Sequence, residues 1–85
     1  MQTNFSKTFN KQYDKASRKI KSAFDKKLII FLANPSHPQL KNHPLSGKYK
    51  GYRSINVTGD WRAIYSESKS SIIFELLGTH SQLYK

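Results

Sequence analysis

The hydrophobic period changes once along this chain, and that change constrains the fold more than any other feature. Up to residue 34 the apolar residues recur at helical spacing. Phe5, Phe9, Tyr13 and Ala16 stand at i, i+4, i+8 and i+11, and Ile20, Phe24, Leu28, Phe31 and Leu32 repeat the pattern. Each stretch therefore gathers its apolar side chains on one helical face. Ser6 is the expected N-cap of the first helix. Asn34-Pro35 ends the second, because proline disfavours helical geometry in the residue before it. A loop with three prolines spans residues 35–44. Beyond it the period is two. Residues 52–57 and 61–66 alternate and are joined through Thr58-Gly59-Asp60, while residues 71–77 form a nearly continuous apolar run. That run reads as a central strand covered on both faces.

Helix, helix and a three-stranded meander define an α+β domain. Two N-terminal helices, packed as an antiparallel pair, cover one face of a small antiparallel sheet. Strand alternation puts Arg53, Ile55 and Val57 on one face and Tyr52, Ser54 and Asn56 on the other. The aliphatic pair faces the helices, so Asn56 faces the open side. Residues 1–5 read as an edge strand or an arm. At 85 residues the whole chain, 1–85, reads as a single domain, and a domain of this size has a thin core. Cysteine is absent, which excludes disulfides and thiolate metal sites. No apolar run reaches the ~18 residues of a membrane span, and no signal-peptide core opens the chain. The expected location is the cytoplasm, away from any membrane.

Fifteen Lys and Arg against five Asp and Glu give a net charge of +10. Such a field attracts polyanions and speeds their encounter, which points to nucleic acid or an acidic protein partner. Eight of the fifteen basic residues lie before residue 30, on the polar faces of the helices.

The chemistry concentrates in residues 41–60 and 78–85. His43 and His80 flank the strands in sequence, and Asp60 sits at the hairpin turn. Imidazole titrates near neutrality and can give or take a proton during phosphate-ester cleavage. Lys48, Lys50, Arg53 and Arg62 are candidates to hold a phosphate and neutralise its developing charge. Tyr49, Tyr52 and Tyr84 are candidates to stack on unpaired bases. The inventory suits RNA cleavage without a metal or other cofactor, because the ribose 2′-hydroxyl is itself the nucleophile. His43, His80 and Asp60 lack the short spacing of metal ligands, and His37 reads as an exposed loop histidine without a local partner. Each residue also has a plainer role open to it. Asp60 can be a turn former, Arg53 and Arg62 can pair with Glu67 or Glu75 across strands, and Trp61 suits the core.

The run HPLSGKYKGYRSINVTGDWRAIY followed by GTHSQLY resembles the YafQ branch of the RelE/ParE superfamily of bacterial toxins. The resemblance implies a RelE-like fold and an mRNA-cleaving toxin of a type II toxin–antitoxin pair, acting on ribosome-bound message. It implies an acidic antitoxin encoded nearby, with the free toxin monomeric and the pair a hetero-oligomer. It places the catalytic set on His43, Asp60, His80 and Tyr84. His80 is then the general acid toward the 5′-oxygen, with His43 and Asp60 as base and orienter in an order left open. Arg53 and Lys48 would stabilise the phosphorane. The branch carries aspartate and histidine where this chain has Ser54 and Asn56, and asparagine cannot transfer a proton near neutral pH. The superfamily also contains gyrase poisons, so a non-enzymatic binder, or a toxin that only engages its antitoxin, is the competing expectation.

Overall fold

Serines start both long helices of the computed structural model, which describes residues 2–84. The Ser6 hydroxyl accepts from the Phe9 amide at 3.0 Å and opens α1, Lys7–Lys15. Ser17 accepts from the Ile20 amide at 3.3 Å and opens α2, Arg18–Ala33. Asn34 ends α2 in extended geometry, as the following proline requires. The remaining elements are β1 (Gln2–Phe5), β2 (His43–Pro44), β3 (Arg53–Asn56), β4 (Trp61–Glu67), β5 (Ser71–Thr79) and α3 (His80–Leu83), with 3-10 turns at Pro38–Leu40 and Gly47–Tyr49.

The expected α+β layering is present, on a larger sheet than the meander. The strand order is β1-β5-β4-β3-β2. Residues 2–5 are an edge strand rather than an arm, and they pair parallel with β5, so the sheet is mixed. This pairing carries Phe5 alongside Phe74 and delivers the chain directly into α1. The Ser6 hydroxyl secures the junction by donating to the Glu75 carbonyl at 2.8 Å.

The core lies between the helices and one sheet face. Phe9, Ile20, Phe24 and Phe31 meet Ile55, Val57, Ala63, Tyr65, Ile72, Phe74 and Leu77. Tyr13 clamps the helices to each other by donating to Asp25 Oδ1 at 2.8 Å. That carboxylate, with partial burial, raises the Tyr13 phenol above its ordinary value of 10.0. Leu32, assigned to the apolar stripe by spacing, is instead exposed.

β5 is central, as its apolarity suggested, but it is not covered on both faces: Ile73 is 36% exposed. The run of apolar residues has a different cause. Ile64 pairs with Leu76 while Tyr65 pairs with Phe74, so Glu75 is an extra residue in β5. The bulge shifts the alternation by one position. Phe74 and Leu77 therefore share the helix-facing side, although strict alternation would separate them. The Glu75 carboxylate is satisfied by the Ser66 hydroxyl at 2.9 Å.

The polar tail after Gly78 is the short helix α3. Thr79 and Gln82 form a reciprocal capping box at its start. α3 folds closely against β5 at Gly78. A Cβ there would stand 3.1 Å from Gln82 Oε1 and 3.3 Å from Leu83 Cδ2. Gly78→Ala is expected to lower stability by about 1–3 kcal/mol through overpacking and to displace α3. Thermal unfolding checks the first effect, and chemical shifts of α3 amides check the second.

Candidate active site

A cleft of about 440 Å3 opens where β2, β3, β4 and α3 converge, lined by Lys41, His43, Leu45, Asn56, Arg62, His80 and Tyr84. Its size falls within the roughly 300–1,000 Å3 range of small-ligand sites. Its described lining includes two cationic residues, two histidines and no acidic residue, an environment that favours an anion.

Register explains the gathering. His43 pairs with Ser54 on β3, and Asn56 pairs with Arg62 on β4. β5 pairs Gly78 with Arg62 and Thr79 with Trp61, which delivers His80 to the same end of the sheet. The His80 amide then donates to the Asp60 carbonyl at 2.9 Å. Residues 37 positions apart in sequence thus share one cleft because four neighbouring strands have an end there.

His43 is held by a single carbonyl. Its Nδ1 lies 2.8 Å from the Lys41 oxygen. A carbonyl only accepts, so Nδ1 carries the proton and the neutral ring keeps its lone pair on Nε2. Lys41 reaches this arrangement through left-handed backbone geometry, φ 47° and ψ 44°. It is the one non-glycine residue with positive φ among the described residues, a conformation that costs of order 1–3 kcal/mol.

The loop carrying His43 is anchored by Asn42. Its amide nitrogen donates to the Pro35 carbonyl at 3.0 Å and to Tyr65 Oη at 2.7 Å, while its oxygen accepts from Arg53 Nε at 2.9 Å. This assigns Arg53 to loop anchoring. It shares the helix-facing side of β3 with Ile55, and the cleft is lined from the other side. Neither arginine takes the cross-strand glutamates as its partner. Arg62 Nη1 instead donates to the carbonyls of Thr58, Gly59 and Trp61 at 3.1–3.2 Å, folded against its own hairpin turn.

The other expected site residues fall as follows. Asn56 lines the cleft, with Ile55 and Val57 buried on the opposite face. That face is not open along its length, however: Ser54 is 0% exposed and its hydroxyl has no partner among the described residues. Asp60 is exposed at the hairpin turn and engages the site through its backbone carbonyl. No hydrogen bond joins its carboxylate to His43 among the described residues. Lys48 and Lys50 lie outside the cleft lining, with the Lys48 ammonium 5.1 Å from the Tyr49 ring centroid. His37 has a local partner after all: its Nδ1 accepts from the Gln39 amide at 3.1 Å and caps the first 3-10 turn. Trp61 packs half-buried against the core.

Tyr49 is a structural tie rather than a free stacking platform. Its hydroxyl donates to the Leu83 carbonyl at 2.8 Å, and its ring stands edge-on to Tyr84 at 5.8 Å. Tyr84 in turn lies 4.7 Å from the His80 ring. The tie runs from the loop before β3 to the helix after β5, so it spans the sheet and holds α3 over the cleft.

The fold and cleft define a small basic α+β domain with a cationic cleft that holds two histidines. Comparison with known proteins gives the family. All of residues 1–85 match the family described as "Bacterial toxin of type II toxin-antitoxin system, YafQ". A 62-residue segment is 40% identical to the mRNA interferase toxin YafQ of Escherichia coli strain K12, covering 69% of this chain and 67% of that one. The crystal structure of YafQ from E. coli strain BL21(DE3) superposes with a TM-score of 0.79 at 31% identity, covering 98% of this chain and 97% of that one. The toxin of the E. coli DinJ–YafQ complex superposes with a TM-score of 0.68 at 31% identity, again over 98% and 97%. This chain belongs to the YafQ family of type II toxin–antitoxin toxins.

Two predictions follow from the cleft. Tyr49→Phe removes one hydrogen bond, worth about 1 kcal/mol, and loosens the C-terminal end of α3. Loss of the anion-binding response of His80 and Tyr84 resonances should exceed the modest loss in melting temperature. Asn56→His should leave the fold intact, because the side chain lies in the cleft and not in the core. It should also raise single-turnover RNA cleavage, by adding a group that titrates near neutrality. A large drop in melting temperature would contradict the placement, and unchanged cleavage would remove position 56 from the reaction.

Proposed function

We propose that this chain is an endoribonuclease that cleaves mRNA by acid–base transesterification. The observation carrying this reading is the convergence of His43 and His80, with Asn56 and Arg62, on one cationic cleft whose described lining holds no carboxylate. The naming of its relatives as mRNA interferase toxins supports it.

In the proposed reaction His43 Nε2 takes the proton of the ribose 2′-hydroxyl, and the 2′-oxygen attacks the adjacent phosphorus. His80 gives a proton to the 5′-oxygen as the phosphorus–oxygen bond breaks. The products are a 2′,3′-cyclic phosphate and a 5′-hydroxyl, and a return proton transfer resets both rings. The Arg62 guanidinium neutralises charge on the non-bridging oxygens as it builds. Asn56 donates an amide hydrogen to the phosphate, and Tyr84 positions a base beside His80. Asp60 fixes His80 through its carbonyl. Its carboxylate lies outside the cleft lining.

The antitoxin is proposed to be an acidic, partly disordered chain that orders on binding, since a +10 surface is complementary to it. The presence of an antitoxin complex among the structures of related chains supports this. Ribosome-bound message is the proposed substrate and the cytoplasm the proposed location. No helix among the described residues is long and apolar enough to cross a membrane. Asn56, in place of a titratable histidine, is the one feature that favours a non-enzymatic binder.

His80→Ala decides between the readings. Loss of a positioned acid should reduce cleavage by about 10²–10⁴-fold and abolish growth arrest on expression, while circular dichroism stays unchanged. A folded variant that remains equally toxic would sink the nuclease assignment.

A further inference from the structure

We propose that Lys41 serves the cleft twice, its carbonyl fixing which nitrogen of His43 is reactive and its ammonium binding a phosphate oxygen of the RNA. The proposal rests on the nuclease reading of this cleft and assigns it a residue that spacing and motif leave unmarked.

Three observations carry it. The backbone at Lys41 is left-handed, where glycine or asparagine is the usual occupant. Asparagine is the very next residue and is used elsewhere, as the loop anchor. A long cationic side chain therefore occupies a position whose backbone does not favour it. Second, that unusual geometry aims the Lys41 oxygen at His43 Nδ1, 2.8 Å away. Extended or right-handed geometry would turn the carbonyl plane and release the ring. Third, Lys41 lines the same cleft as His43, Asn56 and His80. The other cation there, Arg62, is drawn to three carbonyls of its own turn. Lys41 is exposed and able to meet a phosphate without first leaving such a site.

Position 41 thus couples binding to proton transfer. The ammonium recruits the phosphodiester, and the carbonyl two residues before His43 accepts the hydrogen bond from Nδ1–H, so that the lone pair of the neutral ring stands on Nε2 for the 2′-hydroxyl. Lys41 is a positioning residue toward the base and a direct ligand toward the substrate.

The two roles separate by substitution. Lys41→Gly keeps the left-handed backbone and deletes the ammonium. Lys41→Val deletes the ammonium and opposes the backbone, since a β-branched residue is an outlier at positive φ. Lys41→Arg keeps charge and reach. The readouts are cleavage of a defined RNA across salt and pH, long-range 1H–15N spectra of the histidine rings, and circular dichroism for folding.

Lys41→Gly should raise KM, keep kcat, reduce the salt slope by about 0.7 for one lost contact to single-stranded RNA, and retain the Nδ1–H pattern of His43. Lys41→Val should also lose roughly tenfold or more in kcat through a misplaced base, together with that ring pattern. Lys41→Arg should stay near wild type. Active wild type with a Lys41→Gly variant of unchanged KM and salt slope would overturn the phosphate role. A His43 ring protonated on Nε2 in wild type, or an unchanged pattern in folded Lys41→Val, would overturn the positioning role. If Lys41→Val does not fold, the wild-type and Lys41→Gly spectra still decide. Wild type that leaves RNA intact would count against the nuclease reading, while the ring spectra would still test the Lys41–His43 contact.

Discussion

Phe74 is the side chain on which the rest of the packing depends. It is fully buried on β5, and its ring lies 5.4–5.8 Å from the rings of Phe5, Phe9, Phe24, Phe31 and Tyr65. Those partners come from β1, α1, α2 and β4, so one side chain reads out whether four elements are in place. Aromatic pairs contribute about 0.5–1.5 kcal/mol each beyond the area they bury, and a domain this small has few other sources of cohesion. The bulge at Glu75 belongs to the same arrangement. It lets Leu77 follow Phe74 into the core and sets the phase in which Gly78 and Thr79 leave the sheet.

The cleft end is built differently, by polar ties, one of which uses the hydroxyl of the core residue Tyr65. Asn42 holds the loop before His43, Asp60 and Tyr49 hold α3, and Arg62 steadies the hairpin between them. Each tie is worth little alone. Together they bring two histidines from distant parts of the chain to one cleft. The core supplies stability, and short hydrogen bonds supply alignment.

Much of this was legible in the residues. The change of period revealed the helices and the hairpin strands, Ser6 and Asn34 marked helix ends, and alternation put Asn56 on the cleft side of β3. The misses have physical causes. Residues 2–5 are too short to show a period, so their parallel pairing with β5 left no trace in the pattern. The apolar run of β5 looked double-faced because a bulge shifts its phase, with Glu75 as the only local hint. α3 did carry a readable signature, the Thr79–Gln82 capping box, in a segment that read as a polar tail. Arg53 was assigned to phosphate on charge alone, although its own alternation placed it with Ile55 and Val57. Lys41 was invisible because nothing in a lysine announces left-handed geometry.

The central claim is that the cleft's own side chains transfer the protons while the substrate supplies the nucleophile. The chemistry of the RNA ends tests this most directly. Purified protein should cut a defined RNA in the presence of a chelator, leaving a 2′,3′-cyclic phosphate on one fragment and a 5′-hydroxyl on the other. Substrate carrying a 2′-methoxy group at the cut site should remain intact. A 5′-phosphate end, or cleavage of the 2′-methoxy substrate at the same position, would contradict the mechanism, because the attacking oxygen would then come from water.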